Sequence, residues 1–183
     1  MKYFILILSI SLFTACNSSK NKKNEDHLNK TVSFEETVML LGEINRNGLK
    51  MDAFQEWYDS GYEGYEPDPE IIQELKPLIK DVDITIFMGT WCEDSHRDIP
   101  DFFRILDELN YDESRITMFA VDEEKVEPEK EIRDYEIIQV PTFIFYKNGK
   151  EINRIVEYSL RSLERDMLDI LSGKNYKNPY SDF

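Results

Sequence analysis

The apolar positions fall into two rhythms from residue 83 onward. Residues 83–89, DITIFMG, form a predominantly apolar run, the pattern of a strand buried on both faces. From 93 to 109, Ile99, Phe102, Phe103, Leu106 and Leu109 recur at intervals of three and four, which predicts a helix with one apolar face. RITMFAV, 115–121, reads as a second strand, and the charged stretch 126–136 as a helical crossover. TFIFYKNGKEINRIV, 142–156, reads as a hairpin, because Asn148-Gly149 suits a two-residue turn with positive φ. SLERDMLDILSG closes as a helix with Leu163, Met167, Leu168 and Leu171 inward and Gly173 just past its end. A βαβ unit, a hairpin and a last helix imply an α/β fold with a central mixed sheet flanked by helices.

Upstream the rhythm is weaker. VMLLGEI fits a strand running into an Asn47-Gly48 turn, or part of a short helix. Asp52 is the expected N-cap of a helix whose face carries Phe54, Trp57 and Tyr58. Asp68-Pro69-Glu70 reads as a cap followed by proline in the first turn, and that helix should end near Pro77. Residues 31–80 are therefore expected to be a largely helical N-terminal extension packed on a domain at 81–175, with a C-terminal tail at 176–183.

The chain has 183 residues, enough for one domain with a real core, and 41% of them are hydrophobic. Its formal charge of −15 argues against nucleic acid as a partner, since phosphates would be repelled. Solubility accounts for that acidity, and a basic partner is the alternative. Two cysteines, Cys16 and Cys92, are too few for a disulfide-stapled scaffold.

Cys16 follows a stretch that reads as an export-type leader, the alternative being an uncleaved anchor with an incidental cysteine. Lys2 precedes an apolar stretch from Tyr3 to Phe13, shorter than the roughly 20 residues a spanning helix needs. Phe13-Thr14-Ala15-Cys16 resembles the lipobox of bacterial lipoproteins, with phenylalanine where leucine is usual. That resemblance implies a signal peptide at 1–15, lipidation of Cys16, and a membrane-anchored protein of the cell envelope facing the periplasm or exterior. Residues 17–30, rich in Asn, Lys and Ser, then form a solvated tether, to which His27 belongs. No clustering of ligand-type residues supports a metal site. A mature chain would keep one free thiol, Cys92.

The chemistry concentrates in TWCEDSHRDIP, 90–100. A cysteine at a strand-to-helix junction sits where free N–H groups favour a thiolate, the nucleophile of disulfide exchange. Glu93 and Asp94 oppose that charge, although acidic residues also suit a first helical turn. Ser95 can donate its hydroxyl to the thiolate, while His96 is expected on an exposed outer turn. With Trp91-Cys92 at the junction, Pro100 within the helix, Val140-Pro141-Thr142 before a strand, and KNGK at the hairpin, residues 83–172 resemble the thioredoxin superfamily. The longer N-terminal region resembles its exported, membrane-tethered members. The resemblance implies a cis Val140–Pro141 bond beside Cys92, with Val140 and Pro141 facing an extended substrate.

Two positions depart from that pattern. Ile86 stands where the family often has a buried Asp, and Ser95 stands in place of the second cysteine of a dithiol site. Intramolecular resolution reaches effective molarities on the order of 10⁵ M, which a millimolar external thiol cannot match. The expected activity is thus single-thiol exchange or isomerase-like shuffling, without a cofactor. Its partners are exported proteins or small thiols bearing disulfides, and an external thiol resolves the adduct. The competing readings are a tethered thioredoxin-fold binding module and, more remotely, an iron–sulfur site like that of monothiol glutaredoxins.

Overall fold

The computed structural model describes residues 27–34 and 37–181. The expected leader at 1–15, Cys16 and residues 17–26 of the expected tether lie outside the described residues.

Among the described residues, seven strands and six α-helices follow in order: β1 (Thr31–Phe34), β2 (Thr37–Leu40), β3 (Gly42–Ile44), α1 (Arg46–Leu49), α2 (Gln55–Gly64), α3 (Pro69–Leu75), β4 (Val82–Met88), α4 (Glu93–Leu109), β5 (Ile116–Ala120), α5 (Glu129–Asp134), β6 (Thr142–Lys147), β7 (Lys150–Val156) and α6 (Leu163–Leu171). The central sheet runs β3-β5-β4-β6-β7. Strands β4 and β5 are parallel, as a crossover through α4 requires, and every other pairing is antiparallel. β1 and β2 form a separate hairpin.

Period-two alternation sorts the central strand between two cores. Ile84, Ile86 and Met88 of β4 join Phe143 and Phe145 of β6 in the larger core beneath α4 and α6, whereas Phe87 and Ile144 face a smaller one with Val121, Ile137 and Val140. Ile132 and Tyr135, at α5 and its end, cover that second face. The helix α4 drives Ile99, Phe102, Phe103, Ile105 and Leu106 into the main core, none more than 1% exposed. Phe102 stacks on Phe143, with ring centroids 4.3 Å apart.

The hairpin turn at 148–149 forms as expected, with φ of 54° at Asn148 and 72° at Gly149. Asp68 caps α3, accepting the N–H of Glu70 at 2.9 Å, with Pro69 in the first turn.

The structure corrects the upstream reading in three places. Asp52 does not cap α2: that helix starts at Gln55 with Phe54 as N-cap and no side-chain capping bond. Asn47-Gly48 is not a hairpin turn but lies inside the single turn of α1, which Asn45 caps through the N–H of Asn47. The extension also contributes more than helices, because β3 pairs with β5 as the outer strand of the central sheet, so the sheet begins well before residue 81. The crossover helix is shorter than its charged pattern suggested, with Pro128 at its N-cap and Glu136 at φ 53° soon after its end.

The extension is wedged against the thiol-bearing helix. A Cβ on Gly61 of α2 would come within 2.6 Å of Pro100 Cγ in α4, so glycine lets the two helices approach this closely. Trp57 stacks on His96 at 4.3 Å, and Arg46 forks onto Asp107 at 2.7 and 2.9 Å near the far end of α4. Burial works against the Asp107 charge, yet bonds from Arg46 and the Tyr62 hydroxyl hold its carboxyl below the usual range.

Candidate functional site

Strand β4 delivers the chain to the site through Gly89, Thr90 and Trp91. Cys92 is the N-cap of α4, with extended backbone (φ −91°, ψ 122°), and its carbonyl accepts the N–H of His96 at 3.0 Å. Its side chain makes no capping bond. The thiol is half-buried and reduced, and Sγ lies 3.4 Å from the carbonyl oxygen of Val140. The Val140–Pro141 bond is cis, as is Glu127–Pro128, which the sequence did not suggest. Val140 and Pro141 are themselves buried, so what this turn offers outward beside the thiol is backbone.

Each neighbour of the thiol is fixed. The Trp91 indole N–H donates to Val121 O at 2.8 Å. Its ring covers Gly89 so closely that a Cβ there would lie 2.5 Å from the indole. Ser95 is fully buried, and its Oγ accepts the Gly89 N–H at 3.2 Å, a bond that holds the loop to the first turn of the helix. His96 is not on an exposed turn. Trp57 covers it, and its Nε2 sits 2.8 Å from Thr90 O. A carbonyl only accepts, so Nε2 carries the proton.

Glu93 is exposed, while Asp94 pairs with Arg97 at 2.6 Å. Arg97 also forks onto Asp98 at 2.6 and 2.9 Å. The sequence reading missed Asp98, although its i, i+4 spacing to Phe102 places it on the apolar face of α4. Across the thiol, Glu157 adopts φ 65° and donates its N–H to Pro141 O at 2.8 Å. The Tyr180 hydroxyl donates to the Glu157 carboxylate, so the C-terminal tail reaches this side. Tyr176 anchors the tail: it is buried, bonded to Asp166 at 3.0 Å, and its carbonyl accepts from Asn153.

Behind the site, burial and the neighbouring Asp98 charge push the Asp101 carboxyl up to about 7, against the pull of Arg97. Burial raises Asp98 as well. A carboxyl raised by folding binds its proton more tightly in the native state than in the unfolded chain. The stability that Asp101 contributes is therefore fully present below pH ~4 and is lost as pH rises through about 7. Asp107 and Asp169 are lowered and act below that window. The thermal midpoint is expected to decline from pH 4 to 7, and Asp101→Asn to flatten that slope, as read by calorimetry.

Among the described residues no cluster of three His, Cys, Asp or Glu side chains is arranged to hold a metal ion, and no helix is long and apolar enough to cross a membrane.

A thiol at the head of a helix, beside a cis-proline turn at the end of a mixed sheet, defines a thioredoxin-like α/β domain. Residues 71–168 match the family model of thioredoxin, and the chain belongs to that family. It is similar to thioredoxin-like protein R548 of Acanthamoeba polyphaga mimivirus, 28% identical over 83 residues, covering 45% of this chain and 58% of that one. The chain thus spans little more than half the length of that relative. Among solved structures, a protein of unknown function from Pseudomonas aeruginosa, PA1234, shares the fold at 14% identity, with a TM-score of 0.50 over 65% of this chain and 84% of its own. The Schistosoma mansoni thioredoxin pre-protein is 27% identical over 59% of this chain and 92% of its own, with a TM-score of 0.36.

Proposed function

We propose that this protein is a single-thiol disulfide-exchange protein of the cell envelope, held to a membrane through lipid on Cys16. The observation that carries the reading is the Cys92 sulfur at the start of α4, 3.4 Å from Val140 O, with the hydroxyl of Ser95 one turn along where a dithiol site has its second sulfur. In the first step the Cys92 thiolate attacks one sulfur of a partner disulfide. A Cys92–partner disulfide forms, the original S–S bond breaks, and the other partner sulfur leaves as a thiolate. An external thiolate then attacks the mixed disulfide and restores Cys92. Shuffling of a partner's own disulfides consumes no net electrons, so one sulfur suffices. The backbone beside Cys92 is suited to hold an extended chain, and Val140 and Pro141 are the positions assigned to that contact. Trp91, Glu93, Asp94 and Pro100 shape the loop and helix around the thiol.

The discriminating variant is Ser95→Cys. A second thiol one turn along would resolve the adduct from within, at effective molarities no free thiol reaches. Insulin reduction driven by dithiothreitol is expected to rise at least tenfold over the unaltered chain. No gain in a variant with an unchanged circular dichroism spectrum would overturn the reading.

A further inference from the structure

We propose that the groove between the β1–β2 hairpin and the loop following β5 docks the polypeptide that reacts at Cys92, and that it selects segments carrying lysine or arginine close to their disulfide. The inference rests on the exchange reading above and names the substrate class for that site.

The groove encloses about 370 Å³. Val32, Met39 and Leu41 make an apolar floor, and Asp122, Glu123 and Glu124 make an acidic rim. Both walls are tied to the two residues that precede the thiol. On the hairpin side, the Leu40 N–H donates to Thr90 Oγ1 at 3.1 Å. On the loop side, Val121 O takes the Trp91 indole N–H at 2.8 Å, and the Val121 N–H continues the β4 ladder to Met88 O. A chain lying in the groove therefore runs beside the segment that carries Cys92.

The rim is built to stay open. The Asp122 carboxylate is spent on the loop itself, accepting the N–H groups of Val126 and Glu127 at 2.8 and 3.1 Å. Glu123 and Glu124 are exposed, and among the described residues neither joins a hydrogen bond or ion pair. Lys125, the cation of this loop, lies over the Trp91 ring instead, 5.8 Å from its centroid. The occupant that complements an apolar floor with unpaired carboxylates above it is a lysine or arginine side chain. Its methylene stem buries against the floor while its charged head meets the rim. A cleft lined by one sign of charge also speeds encounter with the opposite sign, by tenfold or more.

The test uses two peptides carrying an activated aromatic disulfide, identical except for lysine or glutamate beside the cysteine. Release of the aromatic thiol by the full chain in neutral detergent is timed, with the Cys92→Ala chain as background. The lysine peptide is expected to react about tenfold faster. Glu123→Lys/Glu124→Lys should bring the ratio to one or below. Glu70→Lys/Glu74→Lys, on α3, whose packing partners are α4 and α6, should preserve it. A ratio of one in the unaltered chain overturns the proposal, as does a ratio that survives the rim reversal or collapses equally on α3. Should Cys92 react with neither peptide, the exchange reading fails. Docking is then measured by fluorescence anisotropy with serine-for-cysteine peptides, where the same charge order supports the groove and equal affinities overturn it.

Discussion

Cys92→Ala is expected to abolish covalent capture altogether. Non-reducing gels of envelope extracts should show disulfide-linked adducts with the unaltered chain and none with the variant. The argument is stoichiometric: exchange needs a sulfur that attacks and then sits in the mixed disulfide, and among the described residues Cys92 is the one thiol. Because Ser95 cannot expel the partner, adducts should accumulate on the unaltered chain rather than turn over. Dithiothreitol should clear them. Adducts of equal abundance in the Cys92→Ala chain would place the reactivity elsewhere. Recovery of the same partners without any disulfide would favour a binding module over exchange. The substitution itself asks little of the fold, since the thiol is half-buried and makes no capping bond.

Phe102→Ala is expected to have the largest effect on stability. Phe102 is fully buried, stacked on Phe143 at 4.3 Å and tilted against Phe145 at 6.3 Å. Truncation removes the transfer free energy of the ring and leaves a cavity, together about 3–5 kcal/mol. In a chain of this size that lowers the thermal midpoint by roughly 10 °C. The position matters beyond its volume, because this ring stack joins the helix that begins at Cys92 to the strand that begins just after Pro141. Loosening it is expected to slow capture at Cys92 as well, measured well below the melting midpoint. Phe102→Leu, which keeps most of the volume, should lose less than half as much stability. A variant melting within 2 °C of the parent, roughly the shift of 1 kcal/mol or less, would contradict this account of the core.

The legible parts of the chain were those where local chemistry and packing agree. In α4, seventeen residues with apolar positions on one face gave the helix its observed bounds, and Asn148-Gly149 gave the hairpin its turn. Elsewhere a tertiary partner overrode the local signal. Asp52 had the chemistry of a cap, but Phe54 is 2% exposed, and its burial accompanies a later helix start. Asn47-Gly48 has turn chemistry, yet Gly48 packs where a Cβ would meet Asn29 Oδ1 at 2.4 Å, so its glycine serves a close approach inside a helix. His96 looked exposed because nothing nearby in sequence covers it, and Trp57 arrives from thirty-nine positions upstream. The tie from Leu40 to Thr90 spans fifty positions and leaves no local pattern at all. Asp166, which the sequence did not single out, is fully buried; its Oδ1 accepts no hydrogen bond, and Arg161 Nε lies 3.8 Å from it.

Gly61 against Pro100 settles where this molecule can be cut. The stretch matching the thioredoxin model starts at 71, after the glycine wedge, after Trp57 and after the strand that borders β5. A shortened chain beginning there would keep every residue around the sulfur, yet leave one sheet margin unpaired and Pro100 without the helix that packs against it. The smallest autonomous piece is accordingly larger than the stretch that matches the thioredoxin model, and its front portion is masonry, not ornament.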